Sequence, residues 1–332
     1  MVPVFNGALY LRQCLDSLLA QNWPNCEILL MDDASTDATP DIAASYGPRL
    51  TCHRQVANRG QFRNVDDGIA LATGEYVAVY HADDVYDADI VAQEAGFLET
   101  HPEAGLVFCL SRFMDSTGRE YGRLELPPSL RGRVALNYAD VLNGVLMYKN
   151  VFMPTPSAMA RAEVYRTAGP FRARFGSAAD LDMWLRCARV SRIGLIERHL
   201  FSYRHTSTSE GQSYQLRRTE PENFFAVMEN EIAEYGSAIV LPAARRAFES
   251  HRAVDVLRTC VNAYIKGDMV VAKSAWNRVS LTSLLASTRI RRTRHLLLWA
   301  ALGVFCHLPR FPRLASALDW RYYRRLPWWR TS

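Results

Sequence analysis

The sequence predicts an α/β domain, a mostly parallel sheet with helices on its faces, followed by a mainly helical C-terminal region. Three observations carry this. Over residues 1–110, apolar runs of strand length alternate with stretches of helical period. Two of those runs end in acidic turns, DDASTD (32–37) and HADD (81–84), where sheets of this kind hold ligands. From Pro221 to about Val279 the chain reads as mostly helical.

The elements follow in order. Val2–Phe5 is a short apolar strand, and Leu11, Leu15, Leu18 and Leu19 share one face of a helix from about Ala8 to Gln21. EILLM (27–31) is a buried strand. A helix from about Ala38 to Tyr46 and a short strand at Thr51–Arg54 come next. Gln61 to Ala72 is helical, EYVAVY (75–80) is a strand, and a helix near Asp89–Thr100 leads to the strand GLVFCL (105–110). Residues 112–160 are less regular, with LELPPSLRGR as a loop. The predicted organisation is one domain over 1–210, halved near residue 110, and a helical region over 211–332 that ends in a basic, aromatic tail, 289–332.

Composition narrows the function classes. The net charge of +5 conceals an asymmetry, because residues 289–332 hold ten Arg and one Asp, leaving −4 for the first 288 residues. A nucleic-acid role for the main domain therefore gets no support from charge. Seven cysteines, odd in number and without CxxC spacing, read as reduced thiols rather than a disulfide frame or zinc site, and the opening MVPVFNG has no leader pattern. Both point to the cytoplasm. The longest apolar run of the tail, Leu296 to Phe305, is about half the ~20 residues a spanning helix needs.

The acidic motifs can each carry chemistry, and each has a plainer reading. Asp32–Asp37 at a strand end can accept hydrogen bonds from a base or from ribose hydroxyls, or simply form an Asx/ST turn before a helix. Asp83 and Asp84 can hold Mg²⁺ or Mn²⁺ with a diphosphate, or cap a helix. A carboxylate of ADLDMW (179–184) can deprotonate an acceptor hydroxyl. Asp180 and Asp182 are two apart, so only one faces the substrate. Trp184 walls a pocket or joins the core. Asn58, Arg59 and Arg63 can reach a base or phosphates, and His205 can join the metal site or be structural. No Gly-rich phosphate loop is present.

Taken together, Val2 to about Ser209 resembles the glycosyltransferase family 2 catalytic domain of the GT-A type, a Rossmann-like fold. The resemblance rests on VPVFNGALYLRQCLDSLLAQ, EILLMDDASTDATPDI, NRGQFRNVDDGIALATGEYVAVYHADD, PSAMARAEVYRTAGPF and ADLDMWLRCA, in the family's order and spacing. It implies a nucleotide-binding half (1–110) and an acceptor half (111–210). Pro3, Phe5 and Asp33 then lie at the base, Asn58 and Arg63 near base and diphosphate, and Asp83 and Asp84 at ribose and metal. His205 lies near metal and phosphates, and Asp180 is the general base. Asp182 and Trp184 line an acceptor or donor pocket. His81 and Ala179 depart from the family pattern, which has acids there, and members carry further apolar residues ahead of the Val-Pro step.

The resemblance implies an inverting transfer of a sugar from a nucleotide-diphosphate donor, UDP by default, to a glycan or lipid-linked acceptor, with Mg²⁺ or Mn²⁺, in cell-envelope polysaccharide biosynthesis. The Arg-rich aromatic tail suits an anionic membrane surface or a helical appendage. The rival reading, suggested by His81 and Ala179, is a catalytically weakened nucleotide-binding partner in a polysaccharide assembly. A nucleotidyltransferase is disfavoured because its Gly-rich N-terminal loop is missing.

Overall fold

In the computed structural model, which describes residues 1–206, 218–285, 289–306, 308 and 311–319, three strands open the chain in parallel. They are β1 (Val2–Val4), β2 (Leu29–Asp32) and β3 (Thr51–Arg54). Val4, Asp32 and Arg54 are in register, so the turns after all three strands emerge along one edge. The Met1 amino group donates to Ala78 O at 2.7 Å, and Tyr80 N–H donates to Met1 O at 3.1 Å. These bonds set β1 beside β4 (Tyr76–Val79). The HADD turn that follows β4 thereby joins the same edge as the DDASTD turn.

The remaining strands make the sheet mixed. β4 pairs antiparallel with β9 (Ala158–Arg161), which pairs antiparallel with β6 (Ala104–Met114). β6 runs parallel to β10 (Arg192–Arg204), and β10 continues to the short β5 (Val85–Tyr86). β7 (Glu120–Arg123) and β8 (Ala135–Leu136) are small additions to β6 and β10. β7 to β9 lie in the stretch that the sequence left irregular. That stretch also holds a helix, α5 (Tyr138–Tyr148), started by a capping box in which Asn137 and Asp140 satisfy each other's backbone N–H groups.

Helices cover the sheet. α1 (Leu11–Leu19) buries Leu11, Cys14, Leu15 and Leu18, which matches its apolar spacing. α2 (Thr39–Ser45), α3 (Gln61–Leu71) and α4 (Ile90–Thr100) follow the first strands. α6 (Ala162–Ala168) and α7 (Ala179–Val190) precede β10. The first core joins Leu11, Leu15, Leu30, Ile90, Leu98, Val107 and Phe201, each at most 1% exposed. Each such leucine contributes roughly 2 kcal/mol from burial.

The chain divides into two units, 1–206 and 207–332. The second is helical: α8 (Asn223–Glu231), α9 (Pro242–Lys266), α10 (Met269–Arg278), α11 (Leu281–Leu285), α12 (Arg289–Phe305) and α13 (Pro312–Asp319). Pro242 opens α9, and Gly267, at φ 88°, closes it in the left-handed conformation that glycine adopts without strain. Its core includes Leu257, Cys260, Val261, Tyr264, Ala272, Leu284 and Leu302, with Trp276 stacked on Trp299 at 5.5 Å. Along α12 the exposed residues Leu297, Ala300, Ala301 and Val304 form one apolar stripe. Among the described residues, no helix is long and apolar enough to cross a membrane.

Candidate active site

Two turns on the shared edge are stitched together. Asn6 N–H donates to Ser35 Oγ at 2.8 Å, Gly7 N–H to Thr39 Oγ1 at 2.9 Å, and Thr36 N–H to Asn6 Oδ1 at 2.8 Å. Asn6 and Ala34 both hold positive φ, 52° and 62°, a strained backbone at the ends of β1 and β2. The buried Asp33 accepts from the backbone N–H groups of Arg59 (2.7 Å) and Gly60 (2.9 Å). It thereby closes the loop that carries the exposed Asn58 and lets α3, with exposed Arg63, begin at Gln61. Each carboxylate oxygen keeps a further lone pair for a ligand. Phe5 is 50% exposed, a free face for stacking, and Pro3 is half-buried beside it.

After β4 the chain turns through His81–Asp84. Ligand atoms of His81, Asp83 and Asp84 lie within 4.8 Å of one another. Asp84 is buried. Its Oδ1 accepts from Arg204 N–H at 2.7 Å, while its Oδ2 has no hydrogen-bond partner. Burial, and then the charge of Asp83, pushes its carboxyl well above the usual carboxylate range, and Arg204 opposes the rise. Burial lowers the pKa of His81, while Asp83 and Asp180 pull it upward. His81 therefore lies within the electrostatic reach of both the acidic pair and Asp180.

Asp180 sits in the first turn of α7, which follows a tight turn with Gly176 at φ 50°. Thr155 Oγ1 donates to Asp180 Oδ2 at 2.6 Å, and Leu181 N–H donates to Oδ1 at 2.7 Å. Burial raises its pKa against those bonds, which makes it a stronger base than a free aspartate. Thr155 thus orients this carboxylate, whose neighbour Ala179 has no polar side chain to do so.

Three further candidates have other neighbours. Asp182 is buried and bound to Arg186 Nε at 2.9 Å, with Arg172 at 3.4 Å, so it anchors α7 in the interior. Trp184 is fully buried among Phe108, Tyr165 and Phe171. His205 is outside the three-residue group at Asp83 and Asp84. Tyr121 hydrogen-bonds its Nδ1, Phe113 stacks on its ring at 5.2 Å, and Tyr203 meets it edge-on at 4.9 Å. Desolvation lowers its pKa to about 4. A cavity of about 760 Å³ is lined by Asp66, Thr73, Glu75, Arg161, Glu163 and Tyr165 among others, and not by Asp83, Asp84 or Asp180.

Sequence reasoning also missed residues that build the site. Arg204, 3% exposed, donates from Nε to Asp83 O at 2.8 Å and from NH2 to Gln13 Oε1 at 2.5 Å, and lies 4.3 Å over the Tyr10 ring. It ties α1, the HADD turn and the end of β10 into one piece. Tyr203 feels the charges of Asp84, Asp83 and Asp180 together. An arginine beside a histidine at a strand end carries no signal of this in the sequence.

Comparisons with known proteins give the family and the fold. The family model "Glycosyl transferase family 2" matches residues 1–169. The chain belongs to glycosyltransferase family 2. A PGL/p-HBAD biosynthesis glycosyltransferase of Mycobacterium tuberculosis is 31% identical over 205 residues, 60% of this chain and 72% of the relative. An uncharacterized glycosyltransferase of Rickettsia prowazekii is 26% identical over 197 residues, 58% and 59% of the two chains. Among solved structures, S. aureus TarS 1-349 in complex with UDP-GlcNAc is similar at TM-score 0.61 and 18% identity, covering 97% of this chain and 92% of that one. The mannosyltransferase PcManGT from Pyrobaculum calidifontis, in complex with GDP-Man and Mn²⁺, is similar at TM-score 0.53 and 18% identity, covering 98% and 86%. The fold is of the GT-A type with a helical C-terminal part, and this family 2 glycosyltransferase carries its acidic turns on one sheet edge.

A divalent cation fits the HADD turn of this glycosyltransferase. The turn offers two carboxylates and an imidazole close together, and the buried Oδ2 of Asp84 is a polar atom with no hydrogen-bond partner, left for a ligand.

Proposed function

We propose that this chain is an inverting glycosyltransferase that moves a sugar from a nucleotide-diphosphate donor, a UDP-sugar, to a hydroxyl of a glycan or lipid-linked acceptor. The observation that carries the reading is the convergence of the HADD turn and Asp180: the charges of Asp83 and Asp180 both act on His81. The complexes of TarS with UDP-GlcNAc and of PcManGT with GDP-Man and Mn²⁺ support the donor class.

In this reading Phe5, Pro3 and Asp33 hold the base, and Asn58 and Arg63 border the base and diphosphate. Asp83 and Asp84 would hold Mg²⁺ or Mn²⁺, which when bound would supply positive charge to offset that of the departing diphosphate. Asp180, oriented by Thr155, takes the proton of the acceptor hydroxyl as that oxygen attacks the anomeric carbon from the side opposite the leaving group. The configuration inverts because one displacement occurs.

The C-terminal region supplies the setting. Its +9 stretch, 289–332, and the apolar stripe Leu297–Ala300–Ala301–Val304 suit the surface of an anionic bilayer on the cytoplasmic side. A lipid-linked acceptor of envelope polysaccharide fits that location. Residues 307, 309, 310 and 320–332 and the side chains of 289–294 lie outside the described residues.

Calorimetric titration with UDP-, GDP-, CDP- and dTDP-sugars, with Mn²⁺ or with EDTA, tests the donor assignment. Metal-dependent binding of a UDP-sugar, weakened by Asp33→Ala, is expected. Binding of none of them, with Mn²⁺ or with EDTA, contradicts it.

A further inference from the structure

The residue that breaks the family pattern, His81, is the one the structure adds to the acidic pair. Its ring nitrogen and one carboxylate oxygen each of Asp83 and Asp84 lie within 4.8 Å of one another. Two ligands of an octahedral ion at about 2.1 Å stand about 3 Å apart when adjacent and about 4.2 Å when opposite, so the observed bound is about 0.6 Å wider than one coordination sphere spans, and small side-chain rotations bring the three atoms onto a common cation. A second observation points to one: Asp84, 1% exposed, leaves Oδ2 without a partner while Arg204 N–H occupies Oδ1.

The backbone of His81 is held on both sides. Its N–H donates to Tyr86 Oη at 2.6 Å, and its carbonyl accepts from Cys14 Sγ at 3.3 Å. The turn that carries the ring is therefore fixed by the core. Neither ring nitrogen has a hydrogen bond among the described residues. Tyr86 itself is stacked between Tyr80 at 4.4 Å and Phe201 at 5.9 Å, which keeps its hydroxyl in place.

We propose that His81 supplies a nitrogen ligand to the cation held by Asp83 and Asp84, so that this site selects Mn²⁺ over Mg²⁺. The inference rests on the metal-dependent reading above and deepens it. Mg²⁺ is a hard ion that takes oxygen donors and keeps its waters, whereas imidazole is a borderline donor suited to transition metals. An aspartate at position 81 would give a third carboxylate and an all-oxygen set. Its replacement by histidine removes one negative charge and shifts the preference toward Mn²⁺. His205, the other ligand suggested by the sequence, is hydrogen-bonded by Tyr121 at Nδ1 and packed by two aromatic rings.

Pulsed electron paramagnetic resonance of bound Mn²⁺ reads this directly, using the full-length protein and Mn²⁺ alone or with UDP. The expected spectrum shows coupling to a directly bound ¹⁴N, which changes to ¹⁵N coupling when only histidine is labelled. The coupling persists in His205→Ala and disappears in His81→Asp and in His81→Gln. Competition titration then shows the Mn²⁺-to-Mg²⁺ affinity ratio falling about tenfold or more in His81→Asp. Mn²⁺ bound with no histidine nitrogen in the wild-type protein overturns the proposal, and so does coupling lost only in His205→Ala. Both leave the metal-dependent reading standing. No Mn²⁺ bound by the wild type, with or without UDP, overturns that reading as well. The wild-type spectra need no variant to fold.

Discussion

Replacing Glu94 by glutamine should make the protein more stable at alkaline pH and remove a large part of its pH dependence. Glu94 lies on α4 and is fully buried. Its Oε2 accepts from Tyr80 Oη at 2.6 Å, and its Oε1 has no partner. Burial raises the carboxyl from 4.5, its ordinary value, to about 8, so the folded protein holds this group protonated at neutral pH. The folded pKa is the higher one. The stabilisation is therefore complete below about pH 4.5 and is lost as pH rises through 8. Within that window the folded state binds one more proton than the unfolded chain, and stability falls by about 1.4 kcal/mol per pH unit. The full effect is on the order of 4–5 kcal/mol. Glutamine keeps the acceptor for Tyr80 and cannot ionise. Urea denaturation from pH 5 to 9 should show the wild-type midpoint falling faster than that of Glu94→Gln, with the variant the more stable above pH 8. Equal slopes for the two proteins would refute the reasoning.

Three further outcomes are expected. Asp180→Asn should lower kcat by about 10²–10⁴-fold with donor KM little changed, because the base acts in the transition state; initial rates with a fixed acceptor measure it. Arg204→Leu should cost roughly 3 kcal/mol of stability, since Asp83 O and Gln13 Oε1 lose their donor and the cation opposing the buried Asp84 is gone. Thermal denaturation together with Mn²⁺ titration would detect both the instability and a weaker metal site. Asp182→Asn should destabilise by about 3 kcal/mol, because it strips the buried Arg186 of its carboxylate, yet leave UDP-sugar affinity intact; a loss of donor affinity in a folded variant would restore Asp182 to the pocket.

Much of the first unit is legible in the sequence because its elements are local. The spacing of Leu11, Leu15 and Leu18 and the apolar run before Asp32 state their own periods, and the acidic turns fall where strand ends must be. β9 is different. AMAR pairs with β4 and β6, strands far away in the sequence, and its four residues show no alternation of their own. α5 did carry a signal, the Asn137-x-x-Asp140 capping box before Val141, Leu142, Val145 and Leu146.

The site divides in the same way. Asp33, Asp83, Asp84 and Asp180 stand out by motif. Thr155 and Arg204 act through single contacts across the fold, which no spacing rule reports. Trp184 and Asp182 show the converse: residues next to a motif whose side chains serve the core. His81 reads as a loss of an acid in the sequence and as a neighbour of the acidic pair in three dimensions.

The central claim is metal-dependent sugar transfer by one displacement at the Asp83–Asp84–Asp180 edge. Incubation of the full-length protein with a panel of UDP-sugars, Mn²⁺ and a membrane-lipid extract as acceptor, with nuclear magnetic resonance of the anomeric proton in the product, tests it most directly. The account predicts turnover of one donor with inverted configuration, abolished by EDTA and by Asp84→Ala. Transfer with retained configuration, or transfer that survives both EDTA and Asp84→Ala, would contradict it.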